Sequence, residues 1–484
     1  MAKKSSKPEK TLSIPPPTSH KKKINLGITL LLGLLIWFSP PPTGLSTEAW
    51  HIFAIFIGTI YAVITQPFPL GTITLTALTA LTATNLLTFS QAFVGFSNDT
   101  IWLIVFAFFI ARGFIKTGLG DRISYLFMLL LGKTTLGLAY GMVLTDLILA
   151  PAIPSVTARS GGIVYPILTS IARSCGSEPL PSKSANHVGS FLTKVVMQAN
   201  CVTSAMFLTA MSANPMIAKF AETTSGFKIT WGTWALAAAV PGLASLIIIP
   251  LVIYYLFPPE VKSLPGAQEM ARKKLKDKGR ISLSEWVMLS VFVLLIALWS
   301  LTTITPALSA LIGLTILLLT GVLTWNDVKN ETTAWETLIW FGVLLMMARQ
   351  LNDFGMTAWF SDIVAAKVHG LHWVTGFGIL SVFYFYAHYF FASNIAQVGA
   401  MYIAFLSVAI SLGTPAVLAA LILGFFSSLF GGLTPYSSGP AAVLYDGKYV
   451  EAKEWWQTGF LISVVNIVIW FSIGIVWWRA IGLY

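Results

Sequence analysis

Two short polar segments interrupt apolar parts of the sequence, and both carry hydrogen-bond donors. Ser155 and Thr157 follow Pro154, and Ser393 and Asn394 follow an alanine. Hydroxyl and amide groups can donate hydrogen bonds to an anion. If each segment also begins a helix, its free backbone amides and the positive end of the helix dipole add to the attraction. The residue types therefore predict two anion-binding tips.

Each tip is followed by a second polar interruption, in which small residues surround a proline. These interruptions lie at 209–215 and 431–440. Proline lacks a backbone donor and its ring clashes with the preceding turn, so each should break a helix and expose carbonyls and amides. An isolated hydroxyl more often bonds a carbonyl three or four residues back, which stays the alternative. The candidate wall residues are Thr209, Ser212, Asn214, Thr434, Pro435, Ser437 and Ser438.

The composition excludes an ordinary soluble enzyme, a disordered chain and a disulfide scaffold. Of 484 residues, 56% are hydrophobic and 10% are charged, and the mean hydropathy is +0.77. An ordinary soluble domain has about 25% charged residues. Long stretches without any acidic or basic residue are typical of a polytopic helical membrane protein.

The net charge of +11 comes mainly from two short segments. Residues 1–23 hold seven lysines and one glutamate, and residues 259–283 hold seven basic and three acidic residues. Basic residues near span ends stay in the cytoplasm, so both segments are expected on that face. No cleavage site follows the first apolar run, which argues against a signal peptide. This clustering also argues against nucleic acid as a partner.

A span needs about 20 mainly apolar residues. The sequence predicts eleven crossings, six before the second basic segment and five after it, with the N-terminus in the cytoplasm. A bacterial inner membrane is the expected location, with the plastid inner envelope as the alternative. The crossings are expected near 24–38, 50–66, 69–88, 101–118, 190–218, 234–256, 285–302, 306–323, 336–352, 416–444 and 457–478.

Residues 134–172 and 374–412 do not fit simple spans. The first segment has two short apolar arms meeting at 151–154, and basic residues flank both arms, so a re-entrant hairpin is expected. The second has the same form around 392–394. Irregular backbone at membrane depth is tolerated only when protein or a water-filled cavity surrounds it. A hairpin followed by a broken helix, once in each half and in opposite orientation, points to the site of a secondary transporter.

The tips resemble those of the divalent anion:sodium symporter (DASS) family, whose members carry Ser-Asn-Thr at each tip. Residues 155–157 read Ser-Val-Thr, and residues 393–395 read Ser-Asn-Ile. Each tip keeps two of the three motif residues, with Val156 replacing Asn and Ile395 replacing Thr. The resemblance extends from about residue 25 to residue 484.

Two other segments, at 433–440 and 477–484, look most like the plastid-type 2-oxoglutarate/malate translocators and their bacterial relatives. This resemblance implies an all-α membrane protein of about eleven transmembrane helices in two inverted repeats, an elevator-type transporter and a homodimer. The implied division is a basic tail (1–23), a first repeat (24–258), a basic linker (259–283) and a second repeat (284–484). The first repeat would contain scaffold helices at 24–118, a hairpin at 134–172 and a broken helix at 190–218. The second would contain scaffold helices at 285–352, a hairpin at 374–412 and a broken helix at 416–444.

Arg159 is the charge that bears most directly on the site, because it follows the first tip within an otherwise uncharged stretch. An intramembrane arginine is costly and suggests a functional partner. In sodium-coupled members of the family the corresponding position is small and polar, so Arg159 can replace part of the sodium charge. The alternative is a structural ion pair with Asp146. Gln397 is the uncharged counterpart in the second hairpin, and His388 is either a proton sensor or a neutral hydrogen-bonding residue.

The resemblance implies exchange of C4–C5 dicarboxylates of the 2-oxoglutarate/malate type, with the two tips clamping two carboxylates. Sodium-independent antiport is the main interpretation, and a sodium-coupled dicarboxylate or citrate importer is the alternative. The expected partners are the substrate and counter-substrate, the lipid bilayer and a second copy of the chain. No cofactor or metal is expected. An enzyme is not expected either, because the chain lacks a base and nucleophile arrangement or a Cys/His cluster.

Overall fold

The computed structural model describes residues 19–356, 359 and 372–484, and this part of the chain is helical apart from one isolated bridge between Thr134 and Ser263. The expected basic tail lies mostly outside the described residues. The helices of the first half are α1 (Ser19–Phe38), α2 (Thr47–Thr65), α3 (Leu70–Ala83), α4 (Phe89–Phe93), α5 (Asp99–Thr117), α6 (Leu119–Leu131), α7 (Thr135–Leu149), α8 (Tyr165–Ser174), α9 (Gly189–Met206), α10 (Ala213–Ser225) and α11 (Trp231–Leu256).

A linker helix, α12 (Pro265–Lys278), leads into the second half. The remaining helices are α13 (Leu283–Leu301), α14 (Pro306–Leu319), α15 (Trp325–Lys329), α16 (Thr332–Asp353), α17 (Trp373–Tyr386), α18 (Asn394–Ser411), α19 (Ala416–Leu429), α20 (Gly439–Asp446), α21 (Ala452–Ile469) and α22 (Ile475–Ala480). A π-helical segment, Trp470–Gly474, joins the last two.

Six of the described helical segments are long and apolar enough to cross a membrane. They are α2, α5, α11, α13, α18 and the continuous segment Ala452–Ala480. Shorter apolar helices occur at Leu70–Ala83, Thr135–Leu149, Pro306–Leu319 and Ala416–Gly432. The total of eleven crossings therefore stays a prediction. The helix α18 was expected as a hairpin arm, yet its length alone would also suit a span.

The first hairpin consists of α7, an irregular tip and a returning arm that begins with a π-helical segment, Ala158–Val164, and continues as α8. Its two ends lie against the same part of the linker. The amide of Thr135 donates to the carbonyl of Lys262 at 3.0 Å, and Ser170 Oγ lies 3.7 Å from Met270 Sδ. The hairpin therefore starts and finishes on the face where the basic linker lies.

Both predicted breaks interrupt helices. The expected span 190–218 is divided into α9 and α10, and the span 416–444 is divided into α19 and α20. Every residue of α9 is buried. This helix packs against α7, α11 and α19, so the first break starts from the most enclosed element of the described fold.

Two helices were missed from the sequence. The helix α6 is too short to register as a span, and α12 is too polar. They pack together through the buried Ala267 and Ala271 of α12, and Gln268 Nε2 donates to the carbonyl of Leu129 at 2.6 Å. The linker is therefore ordered, and it packs against α6 on one face of the protein.

A buried ion pair joins α6 to the start of α13. Arg122 Nε donates to Glu285 Oε1 at 2.7 Å, and Arg122 Nη1 donates to the carbonyl of Gly279 at 3.0 Å. Glu285 also closes a capping box with Ser282. Because both side chains are buried away from water, each charge is stabilised mainly by the other.

We expect Arg122→Met to lower the free energy of unfolding by about 3 kcal/mol, because it leaves the Glu285 charge buried and unpaired. Adding Glu285→Gln should restore part of this loss, since glutamine keeps the capping bond without the charge. Thermal unfolding in detergent measures both effects. Lys278→Met, which removes a partly exposed pair with Asp121, is the control and should change stability by at most about 1 kcal/mol. A double variant no more stable than Arg122→Met would contradict this account.

Candidate functional site

One cleft with a cavity volume of about 240 Å³ brings both hairpin tips together. Its walls come from the two tips, the two breaks, the helix before the first break and the first turns of α16. Seven of the candidate residues predicted from the sequence line it: Ser155, Val156, Thr157, Ser212, Ser393, Asn394 and Ser438. Residues far apart in the chain therefore meet at one site.

Both tips present the beginning of a helix to the cleft. Ser155 Oγ accepts from the amide of Ala158 at 3.1 Å, and Ser393 Oγ accepts from the amide of Ala396 at 3.4 Å. Each serine thereby caps the third amide of its helix. The first two amides of an α-helix have no partner within the helix, and those at 156, 157, 394 and 395 belong to residues that line the cleft. An anion in the cleft can therefore accept hydrogen bonds from two helix beginnings at once.

Glycines of the second break let that break approach both tips. A Cβ added to Gly431 would lie 3.0 Å from Asn394 Nδ2. A Cβ added to Gly439 would overlap the Thr157 hydroxyl. Asn394 Nδ2 also donates to the carbonyl of Ser427 at 2.9 Å, which holds the second tip against α19. The second break is thus the common support of the two tips.

The wall facing the tips is one side of α16. Thr333, Glu336, Thr337 and Trp340 line the cleft, and their spacing places them on one helix face. Among the described residues that line the cleft, Glu336 is the charged one, and none is Lys, Arg or His. The attraction for an anion must therefore come from backbone amides, hydroxyls and the side-chain amide of Asn394.

The part of α16 that lines the cleft lies toward the same face of the protein as the linker. The short helix α15 precedes α16, and its Asp327 lies 2.6 Å from Lys116 Nζ at the end of α5. That hydrogen bond lowers the pKa of the Asp327 carboxyl to about 2. Lys278 of the linker in turn donates to the carbonyl of Gly118, just after α5, at 3.1 Å. The first turns of α16 therefore lie near the linker face.

Arg159 does not line the cleft. Its guanidinium is fully buried and makes five hydrogen bonds, one for each of its donors. Arg159 Nε donates to Asp146 Oδ1 at 2.7 Å, and Nη2 donates to Ser204 Oγ at 2.7 Å. The expected direct contact with substrate is replaced by the ion pair with Asp146, because the arginine lies behind Ser204, which does line the cleft.

The other polar residues predicted around the first break hydrogen-bond to backbone carbonyls and do not face the cleft. Thr209 Oγ1 donates to the carbonyl of Pro151 at 2.6 Å. Asn214 Nδ2 donates to the carbonyl of Ser204 at 2.7 Å. Neither residue lines the cleft, because their side chains donate to carbonyls of the first hairpin tip and of α9.

The second half shows the same pattern. Gln397 Oε1 lies 2.6 Å from His388 Nδ1, and the carbonyl of Ser437 lies 2.9 Å from His388 Nε2. Ser437 Oγ donates to the carbonyl of Thr434 at 2.8 Å. Gln397, Thr434, Pro435 and Ser437 therefore do not line the cleft, and His388 is a buried hydrogen-bonding residue.

Sequence reasoning missed several lining residues. Cys201 and Ser204 lie one turn apart on α9, just before the first break, and that proximity could have identified them. Phe108 and the α16 residues carry no local signal, because they sit in apolar helices far from either tip. Among the described residues, no group of three His, Cys, Asp or Glu side chains is placed to hold a metal ion.

We expect Arg159→Lys to lower the free energy of unfolding by about 2–4 kcal/mol, because lysine keeps the charge but has three donors where five are used. Arg173→Lys is the matched control, since Arg173 is mostly exposed and its pair with Glu178 is 3.9 Å long. Unfolding of both variants in detergent provides the measurement. Equal stability of the two would show that the hydrogen bonds of Arg159 contribute nothing.

The chain also matches known proteins over most of its length. YflS of Bacillus subtilis (strain 168), whose name gives malate transport as a provisional assignment, is 50% identical over 469 residues, which cover 96% of this chain and 98% of YflS. The spinach (Spinacia oleracea) protein named dicarboxylate transporter 1, chloroplastic, is 48% identical over 94% of this chain and 81% of its own length.

A solved structure of MtrF from Neisseria gonorrhoeae shares the fold, with a TM-score of 0.56 at 14% identity over 96% of this chain and 95% of that chain. The family described as the sodium:sulfate symporter transmembrane region matches residues 20–484. The chain is therefore a member of this family of integral membrane transporters.

Proposed function

We propose that the protein is a secondary active transporter that exchanges C4–C5 dicarboxylates, such as 2-oxoglutarate and malate, independently of sodium. The observation that carries this proposal is the meeting of two helix beginnings in one cleft. Two sets of free amides suit a substrate with a carboxylate at each end. The names of the relatives, which include a chloroplast dicarboxylate transporter, support the same substrate class.

The donor set also suits transport rather than tight storage. Neutral donors replace only part of the hydration free energy that a dianion loses on binding, so the dianion can leave the site again. As helix caps, Ser155 and Ser393 accept bonds from backbone amides, so their hydroxyl hydrogens stay available to donate, together with those of Thr157 and Ser212. Asn394 already donates to the carbonyl of Ser427. This donor set supports a site of moderate affinity.

Sodium independence is supported by the orientation of the Arg159–Asp146 pair. The guanidinium donates to Ser204 in the wall of the cleft, whereas Asp146 accepts from Asn200, one turn earlier in α9. The pair is thus a fixed dipole whose positive end is bonded to the cleft wall. A fixed positive end can stabilise a bound anion where sodium-coupled relatives use an ion. The alternative is a sodium-coupled dicarboxylate or citrate importer.

An elevator mechanism fits the division of the cleft between two groups of elements. The tips and breaks would move together as a transport domain, and α16 would belong to a stationary scaffold at 24–118 and 285–352. We further propose a homodimer in a bacterial inner membrane, with the N-terminal tail and the linker in the cytoplasm. A plastid inner envelope is the alternative location.

Counterflow into proteoliposomes tests the function. Vesicles preloaded with malate should take up labelled malate or 2-oxoglutarate, and empty vesicles should take up little. Replacing sodium with potassium should leave the rate unchanged, because no sodium takes part. Uptake into empty vesicles driven by a sodium gradient would instead establish the importer. Succinate, glutamate and citrate as competitors define the substrate range.

We expect Gly439→Ala to reduce exchange by about tenfold or more, because the added methyl group displaces the first tip through Thr157. Gly162→Ala is the control on the same hairpin, since nothing lies within 4 Å of the added Cβ. Counterflow rates should be normalised to folded protein measured by size-exclusion chromatography. Normal exchange by the Gly439 variant would show that this close approach is unimportant.

A further inference from the structure

We propose that Glu336 weakens dianion binding at the linker-side opening of the cleft and so makes the affinity for substrate different on the two faces of the membrane. This inference rests on the proposed function, because it assumes that the cleft takes dicarboxylates. It assigns a role to Glu336 because, among the described residues of the cleft wall, this is the one whose charge opposes the substrate.

The position of Glu336 carries the argument. It lies on the face of α16 that lines the cleft, one turn after the helix begins at Thr332. That end of α16 lies near the linker face, through the contacts of Asp327 and Lys116. A substrate that leaves the tips toward the linker therefore passes the Glu336 carboxylate. A substrate that arrives from the opposite face does not have to.

Glu336 also differs from the neighbouring carboxylates in having no partner. Asp327 is paired with Lys116, and Asp146 is paired with Arg159. By contrast, Glu336 is exposed and makes no hydrogen bond or ion pair with any of the described residues. Its charge is therefore not neutralised locally and acts on whatever enters the cleft.

The expected effect follows from Coulomb's law. A carboxylate repels a dianion twice as strongly as it repels a monoanion, and the low dielectric of the cleft walls limits screening. The described residues that line the cleft include no Lys, Arg or His, so none of them cancels this repulsion. Repulsion near the exit raises the energy of the bound state on that side and speeds release. A transporter that must discharge one dianion before it binds the next gains turnover from such a charge.

The test compares the two faces of the membrane. Counterflow of malate is measured in right-side-out and inside-out vesicles that contain the wild type or Glu336→Gln. We expect the variant to lower KM on the linker face by about three- to tenfold, with KM on the other face unchanged. Maximal turnover should fall, because release becomes slower. The difference in KM should shrink as ionic strength rises, which a structural effect would not do.

Two further variants control the experiment. Glu336→Asp keeps the charge and should retain the high KM on the linker face. Asp353→Asn removes one carboxylate from the opposite end of the same helix, where it is paired at 3.6 Å with Arg349, and should leave KM on the linker face unchanged. Because Glu336 has no partner among the described residues, Glu336→Gln should unfold at the wild-type temperature.

Three results would overturn the inference while dicarboxylate exchange itself persists. They are an unchanged KM on the linker face, an equal change on both faces, and a change that is insensitive to salt. A variant that keeps its KM for malate but loses competition by an amino dicarboxylate would also overturn it, because Glu336 would then bind an ammonium group. Failure of the proposed function would look different, since wild-type vesicles would show no dicarboxylate counterflow.

Discussion

Backbone amides and carbonyls that leave a helix inside a membrane must find partners within the protein, because lipid offers none. The structure meets this constraint by stacking its irregular segments on one another. The second break touches the first tip through Gly439 and the second tip through Gly431. The cleft exists because the two tips and the two breaks lie together within the protein. The anion binding proposed for the cleft rests on the same cause, since helix beginnings that face a cavity keep unpaired amides.

Buried charges must also find partners within the protein, and leaving one unpaired costs more free energy than leaving a backbone group unpaired. The buried cations described here each have a carboxylate partner: Arg122 with Glu285, Arg159 with Asp146, and Lys194 with Glu454 at 2.7 Å. These pairs join elements that are distant in sequence, apart from the one within the first hairpin. Removing a partner would leave an isolated charge, so the pairs constrain which helices can separate. Glu336 differs from these groups, because it is exposed in the cleft and has no partner among the described residues.

Much of the site was predictable where one residue type has one dominant physical consequence. Proline beside serine, threonine and glycine marked both breaks, and the serines at 155 and 393 marked both tips. The hydrogen-bond partners of Arg159 were not predictable in the same way. Its acceptors include Ser204 and the carbonyl of Ala210, which lie 45 and 51 residues later in the chain. The α16 wall and the helix α6 carried no local signal, because their roles depend on packing and not on composition.

The departures from the family motif illustrate which part of a motif is structural. Val156 and Ile395 replace polar residues, yet both line the cleft as first or second residues of a helix. At such positions the backbone amide is the donor, and it is present whatever the side chain. In this chain the serine that caps each helix and the glycines that allow close approach keep their roles whatever side chains stand at 156 and 395. A side chain at the tip can then change in shape or polarity without removing the amides of the proposed anion site.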